Sequence, residues 1–345
     1  MRTRPATPPP ASDTTRKAAA QRTAHKWHRG SGHPVAFCYP SFIPHPRQDE
    51  ATAMVRYLII GKTGQLGQAF VQRLASAALA VSRAECDITD ADAVARLLFL
   101  HRPQVVLNCA AWNFVDRAEQ EPQPAFAVNA LAVRALAHAC YRVGAWLVHF
   151  STDYVFGLDE TRRLPYRESD LPGPVNVYGV SKLAGEYFVR SSTPHHLIVR
   201  TCGLYGVPGS GGKKDNFVER ILHQATANPT IEVVADQVCS PTYVEDLVTA
   251  VLQCLEHKMT GLVHLVNTGA VSWYEFAKAI IQRAGLNIVV RPVSSKEKHT
   301  AARRPTYSAL VSEHPQTPQM RSWWDALQDY LTVRLNNAAQ SRRLP

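Results

Sequence analysis

A tyrosine and a lysine four residues apart are the side chains of this sequence best spaced for proton chemistry. They are Tyr178 and Lys182, and on a helix this spacing places both on one face. A nearby ammonium favours the phenolate, so we expect Lys182 to lower the pKa of Tyr178 from about 10. Tyr178 could then pass a proton to a carbonyl oxygen while hydride reaches the carbonyl carbon.

Two neighbouring hydroxyls end an apolar run upstream of this pair. Successive side chains of a strand point to opposite faces, so Ser151 and Thr152 cannot both face one site. We favour Thr152, which would lie at the carboxyl edge of a parallel sheet, where ligands of open α/β sheets bind. Its hydroxyl could position the reacting oxygen for Tyr178. Asp153 follows and could bind a substrate hydroxyl.

A glycine-rich loop near the start of the apolar pattern predicts a dinucleotide site. The loop runs from Gly61 through Gly64 and Gln65-Leu66 to Gly67, between a predicted strand and a predicted helix. Glycines there permit a tight turn, and the N–H groups of the helix favour a pyrophosphate. A tyrosine and a lysine at this spacing are common on ordinary helices. The loop and Thr152 before them indicate hydride transfer, with Lys182 on the nicotinamide ribose.

The end of the second predicted strand bears on the choice of cofactor. An acid there would bind the ribose 2′-OH of NAD, whereas an arginine accommodates the 2′-phosphate of NADP. Arg83, with Lys62 nearby, therefore favours NADPH, and NADH stays open because Arg83 could equally be a solvated charge. Asp87 could accept from the adenine amino group or cap a helix, although Asp90 suits the cap better.

Small residues follow the third predicted strand. Ala110-Ala111-Trp112 would let a flat cofactor lie against the backbone, or would serve tight helix–sheet packing. Their place at the carboxyl end of a strand favours a cofactor contact.

Apolar runs alternate with helical periods, which predicts a Rossmann-type, doubly wound α/β fold with a parallel sheet. We expect an NAD(P)-binding domain over 54–200 and a smaller C-terminal α/β lobe, mainly substrate-binding, over 201–335. The predicted strands are 57–60, 79–82, 104–109, 146–151 and 197–200, and the predicted helices are 65–75, 91–101, 124–143 and 177–190.

Residues 1–53 differ in composition from the rest of the chain. They are rich in proline, alanine, serine, threonine, arginine and histidine, without a sustained apolar period. Such a segment buries too little apolar surface to offset its ordering entropy, so we predict a disordered extension. It also carries about half of the formal net charge of +10. The remaining excess suits a phosphate-bearing cofactor and substrate better than nucleic acid.

Composition excludes several other classes. No apolar run approaches the roughly 20 residues of a membrane span. The N-terminal residues lack the apolar h-region of a secretory signal, so we expect none. The 7 cysteines form no Cys-x-x-Cys pair, so we expect reduced thiols and a cytoplasmic protein. No spacing of histidines and acids predicts a catalytic metal.

From Met54 to about Leu331 the sequence resembles the dTDP-4-dehydrorhamnose reductases, which are extended short-chain dehydrogenases. The segments that carry the resemblance are Gly61–Gly67, Asn108–Glu119, Val128–Ala130, Ser151–Phe156, Tyr178–Glu186, Asp236–Thr242 and Arg304–Pro305.

The resemblance implies that NAD(P)H reduces the C4 ketone of dTDP-4-dehydro-6-deoxy-L-mannose to dTDP-L-rhamnose. It makes Tyr178 the proton donor, Lys182 the ribose-binding lysine, and Thr152 with Asp153 the substrate contacts. The positions that match the family's cofactor contacts are Gly64, Gln65, Leu66, Asp87, Ile88, Ala110, Ala111 and Trp112. Some members dimerise through Mg²⁺, whose ligands the sequence does not assign, and a homodimer is the oligomer we expect.

Two departures and two alternatives stay open. Gly203 stands where the family commonly has a tryptophan near the sugar, and Cys239 replaces a frequent glycine. The chain could instead be a non-catalytic relative like the regulatory β subunit of methionine adenosyltransferase. It could also be another nucleotide-sugar reductase or epimerase.

Overall fold

The computed structural model of the protein describes residues 55–207 and 216–341, with side chains described as far as Arg334. These residues belong to one unit of the chain, Thr52–Pro345. The predicted disordered extension, 1–53, lies outside the described residues.

Strands and helices alternate along most of the described chain. The strands are β1 (Tyr57–Ile60), β2 (Ala78–Val81), β3 (Val105–Asn108), β4 (Trp146–Thr152), β5 (His196–Thr201), β6 (Leu204–Tyr205), β7 (Thr230–Val234), β8 (Val238–Cys239), β9 (Thr242–Tyr243), β10 (Gly261–His264), β11 (Val271–Ser272) and β12 (Val289–Val293). The helices are α1 (Gln65–Leu74), α2 (Ala91–His101), α3 (Val115–Gln120), α4 (Pro122–Phe126), α5 (Ala132–Val143), α6 (Val177–Ser192), α7 (Phe217–Ala227), α8 (Val244–Glu256), α9 (Trp273–Arg283) and α10 (Trp323–Ser341).

Six strands form one parallel sheet in the order β10-β5-β4-β3-β1-β2. Its strands are apolar because helices cover both faces. Along β1, Tyr57 and Ile59 pack into the core shared with α1 and α8, whereas Leu58 and Ile60 pack into the core shared with α2 and α5. The predicted doubly wound parallel sheet is confirmed.

The chain reverses its direction across the sheet at β1. After β2 it crosses to β3, on the other side of β1. Helices that follow neighbouring strands there lie on opposite faces, which leaves a crevice at the carboxyl ends of β1 and β3. This crevice adjoins the glycine-rich loop.

The predicted helix over 124–143 is not one continuous α-helix. A π-helical turn, Ala127–Leu131, separates α4 from α5. Such a turn widens the helix locally and is frequent at functional sites. Here it turns the Asn129 side chain toward Trp112 and Ser181.

The sheet does not end at residue 200. β10, from the C-terminal part of the chain, pairs with β5 in parallel register. Every residue of β5 is buried, so an uncovered edge there would leave buried backbone groups unpaired. The predicted boundary between 54–200 and 201–335 therefore falls inside the sheet.

In the part of the chain that the structure describes, we find no helix with both the length and the apolar character to span a bilayer.

Candidate active site

Helix α6 presents the tyrosine and lysine from its first two turns. Asn176 caps the helix by accepting from the Gly179 N–H at 2.8 Å, and its own amide donates to the Arg303 carbonyl at 2.8 Å. A side-chain cap of this kind fixes where the helix begins. Tyr178 and Lys182 follow one turn apart, on the face that meets the end of β4.

The two hydroxyls at the end of β4 point to opposite sides, as strand alternation predicts. The Ser151 hydroxyl donates to the Glu186 carboxylate at 2.5 Å, in the buried interior. The Thr152 hydroxyl makes a hydrogen bond with the Tyr178 side chain. The Tyr154 ring packs edge-on against Tyr178, with 5.9 Å between centroids. Thr152 and Tyr178 thus form one hydroxyl pair at the carboxyl edge of the sheet.

The expected lowering of the tyrosine pKa is wrong for this structure. Desolvation raises the pKa of Tyr178 to about 12, and the hydrogen bond with Thr152 lowers it only in part. The Lys182 ammonium is engaged elsewhere, donating to the Phe150 carbonyl at 2.6 Å. Tyr178 is therefore a neutral phenol at neutral pH, which is the protonation state of a proton donor.

Lys182 is almost fully buried beneath the site. Burial lowers its pKa to about 8, against the opposing influence of the Glu186 carboxylate. A lysine with this pKa is still mainly charged at neutral pH and loses its proton in mildly alkaline solution.

The Asp153 carboxylate makes hydrogen bonds with side chains of the protein that the sequence did not predict. Its carboxylate accepts from the Ser308 hydroxyl at 2.6 Å and from the Thr152 hydroxyl at 3.1 Å. Burial raises its pKa. Asp153 thus contacts Thr152 directly, and Ser308 is a neighbour from far along the chain that the sequence analysis missed.

The glycine-rich loop has the shape that a dinucleotide requires. Gly61 adopts a φ of +90°, and a Cβ there would lie 2.8 Å from the Ala110 nitrogen. A Cβ at Gly67 would lie 2.2 Å from the Gly61 carbonyl oxygen. Gly64 precedes α1, which has no side-chain cap and no acid in its first turn. The helix N-terminus thus keeps its N–H groups for an external anion, as a pyrophosphate would need.

Two further loop positions are fixed by packing. The Leu66 side chain is buried against the sheet. The side-chain amide oxygen of Gln65 accepts from the Asn216 side-chain amide at 3.2 Å, which ties the start of α1 to the start of α7.

The residues after β2 form two ion pairs. Lys62 pairs with Glu85 at 2.7 Å, and Arg83 pairs with Asp87 at 3.0 Å. Asp87 also accepts from the Thr89 N–H and hydroxyl, and Ile88 is buried beneath them. Asp90 caps α2 by accepting from the Ala93 N–H at 2.9 Å, as predicted.

Asn129 links the segment that follows β3 to helix α6. Its amide oxygen accepts from the Trp112 N–H at 2.8 Å, and its amide nitrogen donates to the Trp112 carbonyl and the Ser181 hydroxyl. Ala110 and Ala111 lie between Trp112 and β3, beside the glycine-rich loop. An asparagine inside an apolar helical period was the signal in the sequence for this contact.

The sequence model of the RmlD substrate binding domain matches residues 55–335. The chain belongs to the RmlD family. A dTDP-4-dehydrorhamnose reductase of Mycolicibacterium smegmatis is 42% identical over 283 residues, which cover 79% of this chain and 84% of the relative. The spore coat polysaccharide biosynthesis protein SpsK of Bacillus subtilis is 37% identical, over 81% of this chain and 98% of that protein.

Solved structures of RmlD relatives have the same fold. The dTDP-4-dehydrorhamnose reductase of Clostridium acetobutylicum superposes with a TM-score of 0.77 at 35% identity, covering 81% of this chain and 99% of that one. The Bacillus anthracis dTDP-4-dehydrorhamnose reductase in complex with NADP gives a TM-score of 0.75 at 38% identity, with the same coverage.

In this RmlD member the ring of Trp273 lies beside Gly203. The glycine adopts a φ of +50°, and a Cβ there would lie 3.0 Å from the edge of the Trp273 ring. The ring of Trp273, from α9, thus occupies the space beside the position where a family tryptophan was expected. Cys239 is buried and makes a hydrogen bond with the Cys202 thiol, which also makes a hydrogen bond with the Asp153 side chain.

Among the described residues of this RmlD chain, no group of three or more histidine, cysteine, aspartate or glutamate side chains is arranged to hold a metal ion.

Proposed function

We propose that the protein is an NAD(P)H-dependent reductase that converts dTDP-4-dehydro-6-deoxy-L-mannose to dTDP-L-rhamnose. The hydrogen bond between Thr152 and Tyr178 at the carboxyl edge of the sheet carries the proposal. The relatives named dTDP-4-dehydrorhamnose reductase support it. No observation on the described residues favours the regulatory or epimerase alternatives over reduction.

The proton path follows from the protonation states. A bound NAD(P)H supplies the hydride that reaches C4 of the sugar. Thr152 holds the C4 oxygen, and the neutral Tyr178 phenol donates the proton that turns this oxygen into a hydroxyl. The charged Lys182 below would hold the nicotinamide ribose of the cofactor, as the family resemblance implies. The products are the alcohol and the oxidised cofactor, so one hydride and one proton account for the reduction.

The cofactor and substrate occupy different parts of the proposed site. Gly61, Gly64, Gln65, Leu66 and Gly67 would hold the pyrophosphate of the cofactor. The adenosine of the cofactor would be bordered by Arg83, Asp87 and Ile88. The middle of the cofactor would lie against Ala110 to Trp112. Asp153, which contacts Thr152, would bind a hydroxyl of the sugar. Residues of 201–335 around Gly203 would face the rest of the nucleotide sugar.

Replacing Tyr178 by phenylalanine tests the proposal. Turnover of the 4-keto sugar nucleotide, followed by loss of NADPH absorbance, should fall by a factor on the order of 10² or more, since the proton donor is gone. The dissociation constant for NADPH should stay within about twofold, because the phenol contributes little to binding the nucleotide.

Tyr141→Phe, at an exposed tyrosine of α5, is the control and should leave turnover unchanged. An active Tyr178→Phe enzyme would exclude Tyr178 as the donor. A wild-type protein that binds NADPH but does not consume the 4-keto sugar would exclude the reaction.

We also propose a homodimer in the cytoplasm. Val180 and Tyr187, two turns apart on α6, are both exposed apolar side chains, and such a stripe suits a contact between copies. The cysteines that the structure describes are free thiols, including the neighbouring Cys202 and Cys239, which suits a reducing compartment. Light scattering of the purified protein measures the first point.

A further inference from the structure

Three hydrogen-bond donors at the end of β2 surround one carboxylate. The Lys62 ammonium donates to Glu85 at 2.7 Å. The Ser82 N–H and hydroxyl donate to the other oxygen of Glu85 at 2.7 and 2.6 Å. The donors come from two separate segments, the glycine-rich loop and the end of β2. We call Lys62, Ser82 and Glu85 together the β2 anion site.

Glu85 keeps its charge in this site at any physiological pH. Hydrogen bonds from Lys62 and Ser82 lower the pKa of Glu85 to about 2, although the side chain is exposed. An ammonium, a backbone N–H and a hydroxyl are also the donors that bind a phosphate monoester. The site would therefore accept a phosphate in place of the carboxylate.

The position of the site in the sheet indicates which phosphate this is. The N–H groups of Gly61 and Lys62 donate to the Val81 carbonyl at 2.9 and 3.1 Å, which holds the loop against the end of β2. In Rossmann sheets the residue after the second strand faces the adenosine ribose, where an acid binds the 2′-OH. Ser82 has this position but carries no carboxylate. The side chain of Glu85 instead places its carboxylate beside Ser82.

We propose that Glu85 sets the choice between NADH and NADPH. Its carboxylate accepts from the ribose 2′-OH of NADH, whereas the 2′-phosphate of NADPH must displace it from Lys62 and Ser82. This inference rests on the nicotinamide cofactor of the proposed function. Both cofactors bind, and Glu85 weakens the binding of NADPH relative to NADH.

Arg83 does not overcome this competition. Its Nε donates to Asp87 at 3.0 Å, so the arginine predicted for the 2′-phosphate is already paired with an acid. Each cation beside the predicted ribose position, Lys62 and Arg83, thus faces a carboxylate of its own. The carboxylate that faces Lys62, that of Glu85, also accepts hydrogen bonds from the N–H and the hydroxyl of Ser82.

Glu85→Gln tests the proposal through binding alone. The amide keeps an oxygen for the Ser82 N–H but loses the charge that competes with phosphate. We expect the ratio of the dissociation constant of NADH to that of NADPH, measured by titration calorimetry, to rise about tenfold. Lys62→Met should lower the same ratio, because the 2′-phosphate loses its cation.

Glu275→Gln is the matched control, since Glu275 is another exposed glutamate paired with a lysine, Lys278, on α9. It should leave the ratio unchanged. Binding of 2′,5′-ADP and 5′-AMP should show the same change in Glu85→Gln as the full cofactors do, which places the effect at the 2′ position.

The proposal would be overturned if the ratio of the two dissociation constants in Glu85→Gln stayed within about twofold of the wild-type ratio. It would also be overturned if Glu85→Gln bound NADH more tightly than the wild type does. A wild-type protein that binds neither dinucleotide would overturn it together with the proposed cofactor. A shifted ratio in a protein that does not reduce the sugar would support the selectivity role and remove the proposed reaction alone.

Discussion

At the scale of single residues, burial rather than charge pairing determines how Tyr178 and Lys182 titrate. The pKa of Tyr178 is raised to about 12 and that of Lys182 is lowered to about 8, each chiefly by desolvation. Across the range from pH 6 to 10 the phenol therefore stays protonated, and Lys182 is the member of the pair that changes charge.

We expect kcat/KM for ketone reduction to fall as the pH rises through about 8, because Lys182 then loses the charge with which it would hold the cofactor ribose. Lys182→Arg should move this decline to higher pH, since a guanidinium keeps its proton. A pH profile that does not change between the two enzymes would contradict the assignment.

The same shift has a consequence for stability. The folded-state pKa of Lys182 lies below its ordinary value of 10.5, so the unfolded chain binds more protons between about pH 8 and 10.5. The contribution of this residue to the free energy of unfolding thus rises with pH across that window.

A second residue-scale prediction concerns the ion pair behind the site. Arg200 donates through two nitrogens to Glu186 at 2.9 and 2.7 Å, with both side chains buried. Glu186→Gln should lower the free energy of unfolding by about 3–5 kcal/mol, since it leaves a buried guanidinium charge without its partner. Urea unfolding at constant m measures the loss.

The double variant Glu186→Gln/Arg200→Met tests the cause of that loss. It removes both charges, so it should be more stable than Glu186→Gln alone. A double variant that is less stable than the single one would indicate that packing, not the unpaired charge, dominates.

At the scale of elements, the start of α6 positions the catalytic groups. Asn176→Ala should cost about 1 kcal/mol of stability through loss of the cap, and it should also lower kcat because Tyr178 lies in the first turn. Ser272, which caps α9 by accepting from the Glu275 N–H at 3.1 Å, provides the comparison. Ser272→Ala should have a similar cost in the free energy of unfolding and leave kcat unchanged.

Much of the element pattern could be predicted from the sequence because it depends on local periodicity. β1, β4 and α6 lie within a residue or two of their predicted bounds, and the opposite directions of Ser151 and Thr152 follow from the two-residue repeat of a strand. The π-helical turn could not be predicted in this way, since Asn129 finds its partners at Trp112 and Ser181 only in the folded chain.

At the scale of the whole molecule, contacts between distant segments produced the departures from expectation. β10 completes the sheet from the part of the chain that we had predicted as a smaller, mainly substrate-binding lobe. Desolvation of Tyr178 by the surrounding protein reversed the expected direction of its pKa. Such contacts have no local signal, because they depend on which segments the fold brings together.

The proposed cofactor should stabilise the whole fold by mass action. At a free concentration of about 100 times the dissociation constant, NADPH should raise the free energy of unfolding by about 2.7 kcal/mol. Tyr178→Phe should keep this gain, measured as a rise in Tm, whereas Gly67→Ala should lose it, since a Cβ there would lie 2.2 Å from the Gly61 carbonyl oxygen. An equal rise in Tm for Gly67→Ala would place the dinucleotide elsewhere.

The end of β4 has a practical consequence for redesign of the enzyme. Its last two residues divide their tasks by face: Ser151 bonds the buried ion pair, and Thr152 faces the reacting groups. Libraries that vary the side chains around Thr152, Gly203 and Trp273 can thus seek new sugars while the Glu186–Arg200 pair is left as it is. Variants selected from such libraries would change substrate specificity through residues on one face of the strand. The buried ion pair on the other face would keep the stability that lets the protein tolerate these substitutions.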